Sequence, residues 1–499
     1  MFTLPDVPGP YAVGATTFAF PLHSPRPIGS AKLRHSSGNT PHEAALLLEE
    51  VVFTAFYPAD TRSPSADGTP PEKLRKLMDW VPKPVKHTIR GYAHFAKLPF
   101  WLSDVFMNFV ASRLRIPVYP NVPILDPAES SDDPEAQWPL VFFSNGLSGT
   151  RTTYSHICIR LAAQGKVVLA MEHRDGTAPV VTSHFASAGD RGHKKHKPKV
   201  KYYLHPEDVL YEEGDETQSK SSFRVDQLVF RRLEIYLAFR AFSDLVNAHP
   251  HRESEKSLFN GLYIVNGIRS FEVPRHSEFW KSWTAGRVKL RDDIALLGHS
   301  FGGATVLSVL SNPPPTFPDA DTHLEALPIT HALVLDPWLE PLPTPGPAPH
   351  VEATRDSRAP QILVLNSEEF TLWKDHFERL QSVVQSWRQD IKEANHIPGD
   401  EAESTPVKLI TLLRAKHVSF SDFGVIWPMG HPARDGRMIL KIIGDLALAF
   451  LDDRLREEMQ GIEKRDMEVE RTRKGTLNSA PPKRRTRRLV GHVGEVVVH

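Results

Sequence analysis

The sequence predicts an α/β protein, a mostly parallel sheet flanked by helices and interrupted by long insertions. Three observations predict it. First, short apolar runs of strand length recur, at Leu46–Tyr57, Pro139–Phe143 (PLVFF), Val167–Met171 (VVLAM), Asp293–Leu297 (DIALL), His331–Leu335 (HALVL), Gln361–Leu365 (QILVL) and Lys408–Leu413 (KLITLL). Second, helical patterns follow the runs. PLVFF passes through a Gly-bearing turn into Tyr154–Gln164 and then VVLAM, a β-turn-α-β succession that implies a parallel pair with a crossover helix. Third, the 43 prolines interrupt the pattern between the runs, where they mark loops and exclude a long helical array.

The elements follow in order. After the first strand and a proline-rich stretch at Ser63–Pro71, a helical region is expected from Lys73 to Leu114. Within it, Leu98–Ala111 is aromatic but too short to span a bilayer, and it reads as packed core or as a surface that meets lipid. A Pro- and Asp-rich linker, Pro123–Trp138, precedes the PLVFF strand. The basic insertion Arg191–Lys201 reads as a solvated loop, although His193 and His196 are conceivable metal ligands. Phe223–Val246 has helical apolar spacing, Ala304–Leu310 opens a helix, and Met438–Leu451 is a final amphipathic helix. The expected organisation is one enlarged catalytic domain over 1–460 and a basic, disordered tail over 461–499.

Composition narrows the function. Lys+Arg and Asp+Glu both number 60, so the chain lacks the basic excess of a dedicated nucleic-acid binder. The single cysteine, Cys158, forbids an intrachain disulfide and excludes Cys-rich zinc modules. The first residues show no basic, apolar leader pattern, so a cytoplasmic enzyme is expected, with peripheral contact at membranes. No cofactor and no metal are expected.

The chemistry lies in Gly298-His299-Ser300-Phe301-Gly302, which fits G-x-S-x-G. An apolar strand enters it and an apolar helix leaves it, the strand-turn-helix of a nucleophile elbow. A serine hydroxyl needs a base within hydrogen-bond reach, and the base needs an orienting carboxylate. In an α/β-hydrolase these follow in the order Ser, Asp/Glu, His. Asp336 ends the next buried strand and is the expected acid. For the base the candidates are His350, His376, His396, His417 and His431; His417 alone follows a buried strand by a few residues. The backbone amides of Phe301, after the serine, and of Leu147, in the turn Phe143–Leu147, are the expected oxyanion donors.

These residues resemble the platelet-activating factor acetylhydrolase family, of the plasma and intracellular type II kind. The resemblance runs over roughly residues 8–450. It is carried by GPYAVG (Gly9–Gly14), PLVFFSNGLSGTRTTYS, VVLAMEHRDGTAP (Val167–Pro179), GHSFGGATV (Gly298–Val306), LDPW (Leu335–Trp338), NSEEF (Asn366–Phe370), and His417, Phe420, Asp422 and Phe423 in a His-x-x-Phe-x-Asp-Phe run. It implies an α/β-hydrolase fold and a serine-dependent, calcium-independent esterase that cleaves the sn-2 acyl group of phospholipids. Asn145 departs from the His that many relatives carry there, and Glu172-His173-Arg174-Asp175 reads as a structural cluster. The rival readings are a carboxylesterase or dienelactone-hydrolase-like enzyme on soluble esters, and a non-catalytic interaction protein working through its tail. Residues 464–488 of that tail hold ten Lys/Arg against three acids.

Overall fold

A computed structural model of the protein describes residues 2–34, 43–100, 111–183, 199–211, 216–247, 258–260, 262–266, 269–271, 277–317, 324–350, 359–394, 406–426, 431–472 and 486–499. The chain forms two compact units, Met1–Leu296 with Pro314–Pro328, and Leu297–Pro313 with Ile329–His499.

The first unit is built on a long antiparallel pair, β1 (Val13–Pro27) and β2 (Leu47–Pro58). Its register shifts between Pro21 and Arg26, where prolines cannot donate ladder hydrogen bonds. Those prolines also hide the period of β1 from a reading of the sequence. Next come β3 (Leu140–Ser144) and β4 (Val167–Glu172), parallel to each other, with β4 antiparallel to β2. The helix α1 (Ser155–Ala162) joins β3 to β4, as the β-turn-α-β pattern predicts, and it buries Ile157, Cys158, Ile159 and Leu161. A 32-residue helix, α2 (Glu216–Asn247), contains the predicted Phe223–Val246 segment. On the other edge of β1 lies β5 (Tyr263–Asn266), followed by β6 (Arg269–Phe271), both antiparallel. The sheet is therefore mixed in this unit.

Aromatic side chains fill the core here. Trp283 meets Tyr57 at 4.7 Å and Phe18 at 5.3 Å, and Phe53 meets Phe242 of α2 at 6.0 Å, all edge-on. Such T-shaped contacts set the ring quadrupoles favourably as well as removing area from water. The Tyr57 hydroxyl donates to the Val122 carbonyl at 2.6 Å, so the buried polar end is satisfied.

The second unit takes up the chain within β7 (Ile294–His299). The helix α3 (Phe301–Leu310) follows directly. Strands β8 (Ile329–Leu335), β9 (Gln361–Ser367) and β10 (Val407–Leu412) are parallel neighbours. They read as near-continuous apolar runs because both faces are covered. Between β9 and β10 come the single turn α4 (Glu368–Thr371) and the helix α5 (Lys374–Ala394). On α5, Phe377, Leu380, Val384, Trp387 and Ile391 are buried at helical spacing. The helix α6 (His431–Leu451) extends the expected Met438–Leu451 toward the N-terminus, and a single turn, Leu455–Glu458, follows it.

Two expectations need correction. The region 73–114 is not one helix. One helix spans Val85–Phe95 and ends at Ala96, after strand Met78–Asp79, and strand Leu114–Ile116 closes the region. Pro82 and Pro84 stop a helix from starting earlier. Residues 101–110, most of the aromatic stretch, lie outside the described residues. The expected disorder of 461–499 also fails. Strand Thr486–Leu489 pairs antiparallel with Val469–Thr472, and β11 (Val496–Val498) pairs antiparallel with β10. Val496 and Leu489 are 0% exposed, and Arg465 holds Glu495 at 2.8 Å. The charge run hides this because the partner strand lies far away in sequence. Residues 473–485 lie outside the described ones, as do His193, His196 and most of the basic insertion. Its end, Lys199–Tyr202, forms a strand paired with Val180–Ser183.

If β11 is part of the fold, Val496→Asp buries an unpaired carboxylate and should lower the unfolding free energy by about 3 kcal/mol or more. Urea denaturation followed by circular dichroism checks this, and a disordered tail would leave the midpoint unchanged.

Candidate active site

Ser300 stands between β7 and α3 with φ +57° and ψ −117°, a left-handed conformation on a residue with a side chain. Such a conformation costs on the order of 1–3 kcal/mol and persists only where the surroundings impose it. Here they do. The Ser300 N–H donates to Leu335 O at 2.9 Å, and its carbonyl accepts from Ala304 N at 3.1 Å and Trp338 N at 3.0 Å. The flanking glycines leave the room. A Cβ on Gly298 would lie 2.2 Å from Gly302 O, and one on Gly303 would lie 3.0 Å from Pro337 Cα. Only glycine permits that approach.

Asp336 follows β8 directly, also at positive φ (+40°) and 0% exposed. His417 opens a short 3-10 turn, His417–Phe420, soon after β10. The three side chains form a continuous relay. Ser300 Oγ lies 3.0 Å from His417 Nε2, and His417 Nδ1 lies 3.0 Å from Asp336 Oδ2. Ser300 is 8% exposed and the His417 side chain 27%, so solvent reaches the relay at the histidine. The Phe301 amide lies at the electropositive N-terminal end of α3, directly after Ser300.

Of the other candidate histidines, His350 and His376 make hydrogen bonds elsewhere. His350 lies in a loop, its N–H on Leu310 O. His376, on α5, accepts from Leu339 N at 3.4 Å, and burial pushes its pKa down to about 4. His396 lies outside the described residues, and His431 begins α6.

Four further groups surround the relay, three of them within NSEEF and one within the elbow, and the sequence assigns none of them a role. Ser367, the last residue of β9, donates its N–H to Asp336 Oδ1 and its hydroxyl to Asp336 Oδ2, both at 2.5 Å. Glu369 accepts the His417 main-chain N–H at 2.8 Å. Phe370 stacks on the His417 ring with centroids 4.2 Å apart and planes 4° from parallel. His299 packs against the same imidazole at 4.4 Å, and burial, with His417 nearby, holds its pKa well below the usual value. Ser367 with Glu368 and Glu369 after it reads as a helix N-cap, which was the one available signal. Among the described residues, one group of side chains comes close enough to suggest a metal, His299, Asp336 and His417, with donor atoms within 4.8 Å. Both His417 nitrogens already face Ser300 and Asp336, so the donor set suits proton transfer and not a metal cage.

In the first unit, Leu147 lies in the turn after β3, and a buried ionic network fixes that turn. Ser144 Oγ meets His173 Nε2 at 2.8 Å, and His173 Nδ1 meets Glu234 at 2.6 Å. Arg231, from α2, binds Asp175 at 2.8 Å, the Asn145 carbonyl at 2.5 Å and Thr177 Oγ1 at 2.6 Å. Asn145, the residue that departs from the family pattern, donates its side-chain amide to Met171 O at 2.8 Å, while its Oδ1 is buried without a hydrogen-bond partner among the described residues. Arg174 bridges Glu50 at 2.6 Å and Glu172 at 3.3 Å, and Glu172 also binds Arg151. Burial drives the His173 pKa well below and the Glu234 pKa well above their ordinary values. The string Glu172–Asp175 is thus an internal brace.

A family model described as "Platelet-activating factor acetylhydrolase, isoform II" matches residues 2–470. The chain belongs to this family. It is a hydrolase of that family with an α/β-hydrolase fold. Its relatives include proteins named platelet-activating factor acetylhydrolase. The dog protein (Canis lupus familiaris) is 26% identical over 75% of this chain and 68% of its own length. The chicken protein (Gallus gallus) is 25% identical over 69% and 64%, and the cattle protein (Bos taurus) 31% over 47% and 41%. The chain therefore matches about two thirds of the first two relatives. A solved structure, a ferulic acid esterase from Streptomyces cinnamoneus, aligns with a TM-score of 0.48 at 14% identity, over 91% of this chain and 94% of that one.

Removing Arg231 would leave Asp175 buried and uncompensated. Arg231→Met should cost about 3–5 kcal/mol of stability, read from the denaturant midpoint. A shift below about 1 kcal/mol would mean the network is not organised by this ion pair.

Proposed function

We propose that the protein is a serine-dependent, calcium-independent esterase that hydrolyses the short sn-2 acyl ester of phospholipids such as platelet-activating factor. The single observation behind this reading is the Ser300–His417–Asp336 relay, with both links at 3.0 Å, in a chain of this family.

In this reading Ser300 Oγ attacks the sn-2 carbonyl carbon while His417 Nε2 takes its proton. Asp336 stays ionised and holds His417 in the tautomer with Nδ1 protonated. Negative charge gathers on the former carbonyl oxygen, and the Phe301 amide donates to it. The second donor is the Leu147 amide, an assignment that rests on the sequence and the family resemblance. The carbon–oxygen bond to the glycerol then breaks, and His417 protonates the departing lysophospholipid oxygen. Water, deprotonated by His417, attacks the acyl-serine and releases the short acid. Every proton moves between Ser300, His417, leaving group and water, so the cycle closes without a metal.

A phospholipid substrate requires contact with lipid aggregates. Among the described residues no helix is long and apolar enough to cross a membrane. The reading is of peripheral contact, in the cytoplasm.

Ser300→Ala should abolish hydrolysis and labelling by a fluorophosphonate probe, a fall of at least about 10³-fold. A chelator should leave the wild-type rate unchanged. Labelling that persists in Ser300→Ala would overturn the assignment. Dispersed short-acyl phospholipids compared with water-soluble nitrophenyl esters test the substrate class. Turnover confined to the soluble esters would favour the carboxylesterase alternative, and activity on neither would favour a binding protein.

A further inference from the structure

The relay is held by a segment that catalysis itself does not consume. At the end of β9 the chain passes into α4, and three successive contacts leave it for the relay. Ser367 gives Asp336 two hydrogen bonds of 2.5 Å, one to each oxygen. Glu369 accepts the His417 N–H at 2.8 Å. Phe370 lies flat on the His417 ring, 4.2 Å away. The Ser367 hydroxyl also accepts from Phe370 N at 3.2 Å, so the same oxygen that holds the acid caps the turn that carries the stacking ring.

We propose that Ser367 and Phe370 are positioning residues for the relay, Ser367 setting the charge and direction of the Asp336 carboxylate and Phe370 the plane and basicity of the His417 imidazole. The proposal rests on the reading of Ser300 as nucleophile and His417 as its base. Asp336 Oδ2 is shared, taking both the Ser367 hydroxyl and His417 Nδ1. A donor from Ser367 drains negative charge from the oxygen that stabilises the imidazolium. The flat phenyl face does the opposite, since a ring face attracts a cation.

The two residues therefore act on His417 with opposite sign. Without the Ser367 hydroxyl the carboxylate offers more charge to His417, its imidazolium is better stabilised, and it loses its proton at higher pH. Without the Phe370 ring the imidazolium is less stabilised and loses its proton at lower pH. The base works only when neutral, so the acid limb of kcat/KM moves up in the first case and down in the second. Among the described residues, the other titratable groups that act on His417 are His299 from β7, Glu369 from α4 and His376 from α5, and both variants retain them. Burial drives the pKa of His299 and of His376 down, so both stay neutral across the limb.

The experiment compares wild type, Ser367→Ala and Phe370→Leu by pH–rate profile, by kcat and KM on a dispersed short-acyl phospholipid, and by fluorophosphonate labelling. Ser367→Ala should lower kcat roughly tenfold or more with little change in KM, because a carboxylate without the donor that fixes its direction holds His417 less well in line with Ser300. Its acid limb should shift upward, and that of Phe370→Leu downward. Circular dichroism melting accompanies each, and Ser367→Thr, which retains a hydroxyl, should recover most of the activity if the fold accepts it. Limbs that do not move, or that move in the same direction, in folded variants would overturn the proposal. A wild-type enzyme not labelled at Ser300 would instead overturn the reading on which it rests.

Discussion

The carboxylate of Asp336 is fully buried, and a buried charge is stable only where hydrogen bonds replace its water. The second unit supplies them from two places, the end of β9 through Ser367 and the turn after β10 through His417. Strand order makes this possible. Because β8, β9 and β10 are parallel neighbours, their carboxyl ends emerge side by side, and the residues just beyond them meet. Asp336, Ser367 and His417 thus come from three strand ends far apart in sequence. The strained backbone of Asp336, at φ +40°, is the local cost of turning the carboxylate toward them.

The elbow adds the second constraint. Ser300 takes a left-handed conformation because its N–H, its carbonyl and its glycine neighbours leave no other arrangement. That lifts the hydroxyl out of the strand and toward His417. The strain at Ser300 and the strain at Asp336 are linked by hydrogen bonding. The Ser300 N–H is on Leu335 O, immediately before the acid, and Trp338 N returns to Ser300 O. A shift of either turn would displace the other, so the geometry of the relay is over-determined.

The first unit solves a different problem by the same rule. It carries charged residues into its interior at Glu50, Glu172, Arg174, Asp175, Arg231 and Glu234. Each finds an opposite charge or a backbone partner, which offsets desolvation. The network converges on the turn Ser144–Leu147 through His173 and Arg231, and its directionality gives that turn one backbone arrangement.

The sequence alone determined what local chemistry can express. G-x-S-x-G between an apolar strand and an apolar helix names a serine elbow, because glycine and strain leave a readable pattern. The parallel core strands were legible as apolar runs, since strands covered on both faces carry little polar residue. Chain order after those runs points to Asp336 and His417, and the structure brings both side chains into hydrogen-bond contact. Other features depended on partners distant in sequence. β1 was obscured by its prolines, and the last strand by the charges around it, although burial against β10 makes Val496 part of the core. Ser367 and Phe370 lie in NSEEF, a stretch that the sequence marks only through the family resemblance. Only the tertiary structure placed them against Asp336 and His417, because a hydrogen bond or a ring stack across strand ends is set by sheet order, and sheet order leaves no mark in a local stretch of sequence.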